Sequence, residues 1–258
     1  MITSVKNPKI QWIRNLLDKR QNREREHAYV VEGVRLVEEA VGSGIPIRLA
    51  LYTTSLSSRG MASVAAMQTM GVDVEEVMPH VLSAVTGTET PQGVLAVMEL
   101  AGLPLPALVD FALVLDTIRD PGNLGTLLRS AAAAGVQAVL ISPETADVYS
   151  PKVVRSAMGA HFHLPIVSTD WQTIRNLLGT WKVKTWLTDA DASMSMYTVD
   201  FRIPSALVIS GEATGISEGA RALAQGVVSI PMPGRAESLN AAIAGSILLF
   251  EVVRQRTL

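Results

Sequence analysis

The chain of 258 residues contains no cysteine, which excludes disulfides and thiolate metal sites and fits a reducing compartment, the cytoplasm. Aromatic residues make up 5%, too few to build a long base-stacking platform. No apolar stretch reaches the uninterrupted length of a membrane span. The first residues disperse cations among polar groups with no leader-like apolar core, so neither a signal peptide nor a membrane partner is expected. A G-x-G-x-x-G with an acidic residue at the distance of a dinucleotide fold is missing, which disfavours an ordinary Rossmann cofactor site. No internal repeat or low-complexity tract stands out. His161 and His163 alternate along a stretch read as extended, a spacing open to a metal. With no third ligand nearby, they are expected to be packing or surface histidines, and no metal is expected.

With 48% hydrophobic residues the chain can bury a sizeable core, and it is long for a single unit. The seam is expected within residues 100–110, where Pro104 and Pro106 interrupt the pattern just after a strand-like run from Val94 to Met98. Domains are therefore expected over residues 1–103 and 107–258. Met67, Met70 and Met78 fall in apolar runs and read as core filling. A formal charge of −2 is not that of an obligate nucleic-acid binder, but its distribution is uneven. Lys6, Lys9, Arg14, Lys19, Arg20, Arg23 and Arg25 crowd the start against Asp18 and Glu24, a candidate phosphate-binding face.

Three junctions dominate the second half. From Leu113 to Leu115 an apolar run ends in Asp-Pro-Gly-Asn turn chemistry, then an Ala-rich helix opens and a second apolar run reaches Ile141. Asn123 is expected to cap that helix, with Arg129 facing back toward the loop from the second turn. The amide and the cation then flank the carboxyl end of a parallel strand, where open α/β sheets bind ligands. The next junction, residues 207–217, runs from four apolar residues into Gly211, Glu212 and Gly215, and Ser217 opens another helix. Closely placed glycines let a backbone approach a ligand without a Cβ in the way. In the last, a β-branched run reaches Ile230, Pro231 and Pro233 bracket an extended stretch, and Ser238 is expected to start a long helix. Each alone is an ordinary turn before a helix.

Together, and in this order, they resemble the three motifs of the SpoU family of RNA ribose 2'-O-methyltransferases, also called TrmH, within the SPOUT superfamily. Asn123, Gly125 and Arg129 match the first motif, Gly211, Glu212 and Gly215 the second, and Ser238, Leu239 and Asn240 the third. Ser210 stands where many relatives have glycine, a change that a backbone contact survives. Residues 149–166 are similar to a family stretch carrying an arginine near the active site, here Arg155. Residues 2–41 and 90–99 look like the substrate-binding domain, similar to ribosomal protein L30e, of the family's ribosomal-RNA branch. The resemblance implies an α/β fold: a small L30e-like α/β domain, then an α/β methyltransferase domain with a deep trefoil knot.

It further implies S-adenosylmethionine as cofactor, held around Ser210, Gly211, Gly215, Ile230, Met232, Ser238 and Leu239. Asn123, Arg129, Glu212, Ser238 and Asn240 become the catalytic candidates. Arg129, Arg155, Lys19, Arg20, Arg23 and Arg25 become the candidates for RNA. The resemblance nominates Arg129 for activating the 2'-hydroxyl, but a guanidinium keeps its proton in proteins, so its expected part is to pair with a phosphate and stabilise a developing alkoxide. The family's homodimer through the knotted domain fits the final helix, apolar over much of its circumference before Arg254 and Arg256. The expected activity is 2'-O-methylation of RNA, most simply 23S ribosomal RNA. Transfer RNA as target, or a non-catalytic RNA-binding or ribosome-assembly protein of the same fold, are the alternatives.

Overall fold

A computed structural model of the chain describes residues 1–86, 91–211, 215–235 and 237–257. Two compact units emerge, one of residues 1–101 with 147–162, the other of residues 102–146 with 163–258.

In the first unit, Pro8 and the Asn7 side chain, which accepts the Lys9 amide at 2.9 Å, start α1 (Pro8–Asp18). There follow α2 (Arg20–Glu26), β1 (Ala28–Glu32), α3 (Val34–Gly42), β2 (Ile47–Tyr52), α4 (Ser58–Thr69), β3 (Asp73–Glu76), α5 (Pro79–Ser83) and β4 (Val94–Glu99). The strands order as β1-β4-β2-β3, with β4 antiparallel to both neighbours. Alternate residues feed opposite layers, as the pleat requires. Tyr29, Val31, Ala50, Ala96 and Met98 pack with Val37 of α3 and Met67 of α4. Val30, Leu49, Leu51, Leu95 and Val97 pack with Ile10 and Ile13 of α1 and Leu82 of α5. Both faces of the sheet are therefore covered, and this is why β1 and β4 read as nearly unbroken apolar runs. Of the methionines expected in the core, Met67 is buried, but Met70 is 53% and Met78 37% exposed.

The second unit begins with β5 (Phe111–Asp116), α6 (Pro121–Ala133) and β6 (Ala138–Ile141). The chain then contributes α7 (Pro151–Ala157) and a 3-10 turn (Ala160–Phe162) to the first unit. It resumes with β7 (Ile166–Ser168), α8 (Trp171–Trp181), β8 (Lys184–Thr188), β9 (Ser205–Ser210), α9 (Glu218–Leu223), β10 (Gly226–Val228) and α10 (Ala241–Thr257). All strand pairs are parallel, in the order β10-β8-β9-β5-β6-β7. The chain winds outward from β5 through β6 and β7, then returns to place β9 beside β5 with Asp116 opposite Ser210. That reversal sets the loops after β5 and β9 side by side at the carboxyl ends, where doubly wound sheets bind ligands.

The expected boundary at 107 thus misses an excursion: Tyr149, Val154 and Phe162 complete an apolar cluster of the first unit. Arg23 is tied into the same unit. Its buried guanidinium donates to Asp147 at 3.0 Å from Nε and to the carbonyl of Leu16, so it leaves the phosphate-binding face on which the sequence had it. His161 and His163 do not share a strand face, because residues 160–162 form the 3-10 turn, with His161 buried and His163 exposed. The ring of His161 stacks 5.4 Å from Tyr149, and its Nε2 meets the Val148 carbonyl at 2.9 Å, which assigns the proton to that nitrogen. Among the described residues no group of three or more metal-ligating side chains occurs, and no helix is long and apolar enough to cross a membrane.

Burial pushes the His161 imidazole down to about 4 from 6.5. Below its ordinary value the unfolded chain therefore binds a proton that the folded one refuses, and stability falls as pH drops from 6.5 toward 4. Thermal or urea unfolding should show a loss of about 2 kcal/mol between pH 7 and 5 from this group, above most carboxylate titration, and His161→Phe should flatten that segment of the profile.

Candidate functional site

The site is organised by Asp116, the last residue of β5, whose side chain is fully buried. One of its oxygens, Oδ2, accepts from the Ser210 hydroxyl at 2.8 Å and from the Ser217 amide at 3.0 Å. The carboxylate thereby joins the two ends of the loop after β9. Its Oδ1 has no hydrogen-bond partner among the described residues. The chain turns sharply after Asp116: Thr117 has φ of 50°, strained for a β-branched residue, and its amide donates to the Ser142 hydroxyl at 3.1 Å. Gly211 lies directly on this bend. A Cβ there would sit 2.4 Å from the Thr117 carbonyl oxygen, so glycine permits a close approach of backbone to backbone. Gly215, at φ of 64°, is the left-handed residue that redirects the loop toward α9, which Ser217 caps through the Ala220 amide at 3.1 Å.

The two long helices of the site start otherwise than expected. Asp120 caps α6, accepting the Asn123 amide at 2.8 Å, with Pro121 in the first turn. Asn123 is inside the helix, and its side chain is free to accept from Asn240 Nδ2 at 3.0 Å. Ser238 does not cap α10: Asn240 does, its Oδ1 accepting the Ala242 amide at 3.0 Å. One amide side chain thus caps the last helix and grips the first turn of α6. The helices come close enough for this because their contact is built of small residues. A Cβ on Gly245 would fall 2.4 Å from Leu127 Cδ2, and the hydroxyls of Ser130 and Ser246 are 2.7 Å apart. Arg129 is exposed on α6 and makes no hydrogen bond or ion pair with a described residue. Glu212 lies outside the described residues.

Beside Ser210 lies a cavity of about 130 Å³ lined by Ile209, Ile230, Met232, Leu239, Ala241 and Ala244, with Ser210, Ser238, Thr188, Asp189 and Ala190. Of the residues nominated for the cofactor, Ser210, Ile230, Met232, Ser238 and Leu239 line it, and Gly211 and Gly215 are not among the lining residues. Thr188, Asp189 and Ala190 were not foreseen. They follow the apolar run of β8, and the rule that put ligands after β5 applies equally to that strand. Thr188 Oγ1 is buried and has no partner among the described residues. An apolar wall with a few polar groups and one unsatisfied hydroxyl suits an amphipathic ligand. The remaining candidates belong to the first unit: Arg155 stands 3.7 Å from Glu32, while Lys19, Arg20 and Arg25 are exposed.

A family model described as the SpoU rRNA Methylase family matches residues 110–250, and one described as an MRM3-like substrate binding domain matches residues 7–96. The chain is 37% identical to the 23S rRNA (uridine(2479)-2'-O)-methyltransferase of Streptomyces viridochromogenes, covering 99% of this chain and 92% of that protein. It is 32% identical to the 23S rRNA (guanosine(2553)-2'-O)-methyltransferase RlmP of Bacillus subtilis, over 97% and 98% of the two. The crystal structure of an AdoMet-bound rRNA methyltransferase from Sinorhizobium meliloti superposes with a TM-score of 0.86 at 32% identity, over 98% of this chain and 97% of that one.

The two loop glycines should differ in cost. Gly211→Ala drives a methyl into a backbone oxygen and should destabilise the second unit by about 2–3 kcal/mol. Gly215→Ala has open space, meets only its backbone conformation, and should cost about 1 kcal/mol. Urea unfolding of the two variants checks the order.

Proposed function

Because the chain belongs to the SpoU rRNA methylase family, we propose that it transfers a methyl group from S-adenosylmethionine to a ribose 2'-hydroxyl of 23S ribosomal RNA. The observation that carries this reading is the cavity between the segments of the second and third motifs, beside the joined amides of Asn123 and Asn240. Its wall fits the cofactor: Ile230, Met232 and Leu239 offer apolar surface to an adenosine and to the methylene groups beside the sulfonium, and Ser210, Thr188 and Asp189 offer the polar atoms. When bound, the cofactor supplies an electrophilic methyl for in-line attack, so the protein's work is positioning and charge.

In this reading Arg129, an exposed cation without a described partner, holds the target phosphate and stabilises the oxygen as its proton leaves to a phosphate oxygen or water. Asn123 and Asn240 orient donor and acceptor, Ser238 supports them at the cavity wall, and Glu212 fixes Arg129 or its loop. Lys19, Arg20, Arg25 and Arg155 serve RNA affinity; the surface pairs Arg20–Glu24 and Arg25–Glu26 are weak enough to yield to phosphate. Arg23, buried against Asp147, is omitted from that set. The implied trefoil knot is supported by the path of the chain, which passes from edge strand β10 back to α10, packed on α6 and β9 in the middle of the unit. A second copy is the partner we assign to α10. Ile243, Ile247 and Phe250 form a stripe at helical spacing, 53%, 36% and 49% exposed. A cysteine-free enzyme acting on ribosomal RNA is read as cytoplasmic.

Isothermal titration should show binding of S-adenosylmethionine, and 2'-O-methyl mapping of ribosomal RNA should show one position lost without the gene; folded protein with no cofactor heat would overturn the proposal. Arg129→Ala should reduce methyl transfer by about 100-fold or more with the cofactor still bound, and Arg129→Lys should restore only part of it, since an ammonium lacks the bidentate fork. In sedimentation at micromolar concentration the protein should run as a dimer and Phe250→Glu as a monomer; a monomeric parent would remove α10 as an interface.

A further inference from the structure

At the amino-terminal end of β8 lies a second cleft, of about 590 Å³, whereas the proposed cofactor cavity meets the other end of that strand at Thr188. Its wall comes from the end of α8, the start of β8 and the end of α9. Leu178, Val183, Thr185 and Leu223 are buried and form the floor, while Arg175, Lys182 and Lys184 are exposed. Among the described residues no acidic one lines it.

These cations differ from most others on the surface, which neighbouring carboxylates neutralise, as in Arg20–Glu24, Arg59–Glu38 and Arg202–Asp200. Neither Arg175 nor Lys182 makes an ion pair with a described residue. Lys184 holds its ammonium 4.3 Å from the centroid of the Trp186 ring, a contact that orients the charge without cancelling it. Arg221, next to the lining residue Ala222 on α9, is exposed and likewise unpaired among the described residues. The carboxyl end of α8 accounts for only part of this, since its dipole presents about half a negative charge. In a chain with 22 basic against 24 acidic residues, a concave surface reserved for cations from separate elements marks a place for an anion.

We propose that this cleft is a second RNA-binding surface, where Arg175, Lys182 and Lys184 hold the phosphodiester backbone of ribosomal RNA at the end of the sheet opposite the cofactor cavity. The inference rests on the RNA methyltransferase reading above. It assigns RNA affinity to the catalytic unit itself, in addition to that of the first unit. Contact is with phosphate and not with bases, because the floor offers Leu178, Val183, Thr185 and Leu223 and, among the described residues, no ring to stack on.

The test is the full-length variant Arg175→Gln, Lys182→Gln, Lys184→Gln against transcribed 23S ribosomal RNA, with binding measured from 50 to 200 mM salt. Each lost phosphate contact removes about 0.7–0.9 from the slope of log affinity against log salt, so the variant's slope should flatten by about 2–3. KM for RNA should rise about tenfold or more, while kcat at saturating RNA and S-adenosylmethionine binding stay at parental values, which also shows that the variant is folded. Unchanged affinity and slope, or weaker binding with an unchanged slope, would overturn the proposal; so would loss of an acidic protein partner from the variant with RNA affinity intact. A parent protein that neither binds S-adenosylmethionine nor methylates RNA would instead sink the reading on which the inference rests.

Discussion

The Asp116 carboxylate is the constraint around which the second unit is arranged. Taking a carboxylate out of water costs several kcal/mol unless donors replace the solvent. Here the donors are the Ser210 hydroxyl and the Ser217 amide, one at each end of the same loop. Holding Oδ2 and closing the loop are therefore one event, while Oδ1 has no partner among the described residues. The parallel register that pairs Asp116 with Ser210 brings β9 to the right height for it, and the absence of a Cβ at Gly211 lets the returning backbone lie on the Thr117 bend. Serine at 210 then has a structural reason: its hydroxyl donates to the buried Asp116 carboxylate.

From that anchor the geometry of the site follows by packing. Asn240 caps α10 while its amide nitrogen reaches the first turn of α6, and such a bond needs helix axes held close together. Gly245 against Leu127 and Ser130 against Ser246 permit it. Groups 117 residues apart in the chain are thereby kept within one hydrogen bond.

The strand-to-helix junctions could be read from turn chemistry, because Pro, Gly and Asn act within a few residues of where they stand. The α/β character and the parallel second sheet were legible for the same reason. Caps were not: in Asp-Pro-Gly-Asn and in Ser-Leu-Asn two residues can each accept an amide, and only the fold chooses Asp120 over Asn123 and Asn240 over Ser238. The fate of Arg23 was hidden because its partner Asp147 is 124 residues away. The same blindness to distance hid Thr188, whose interest lies in a buried hydroxyl with no partner among the described residues, and turned the alternation of His161 and His163 into a strand where a 3-10 turn occurs. Resemblance supplied what locality cannot, the association of all three motifs in one site.

The excursion of residues 147–162 separates the order in which the chain is made from the order in which it can be completed. During synthesis the first 101 residues emerge with β1 to β4 in hand, yet Tyr149, Val154 and Phe162, which belong to their apolar cluster, are still to come. By the time they arrive, β5, α6 and β6 have also appeared, so the nascent second unit is tethered at both sides of the excursion before its own sheet has its remaining strands. The first unit is therefore not contiguous in the gene. A cut at the proline seam would leave one fragment with an open core and hand the other a helix and a turn whose apolar faces have lost their partners.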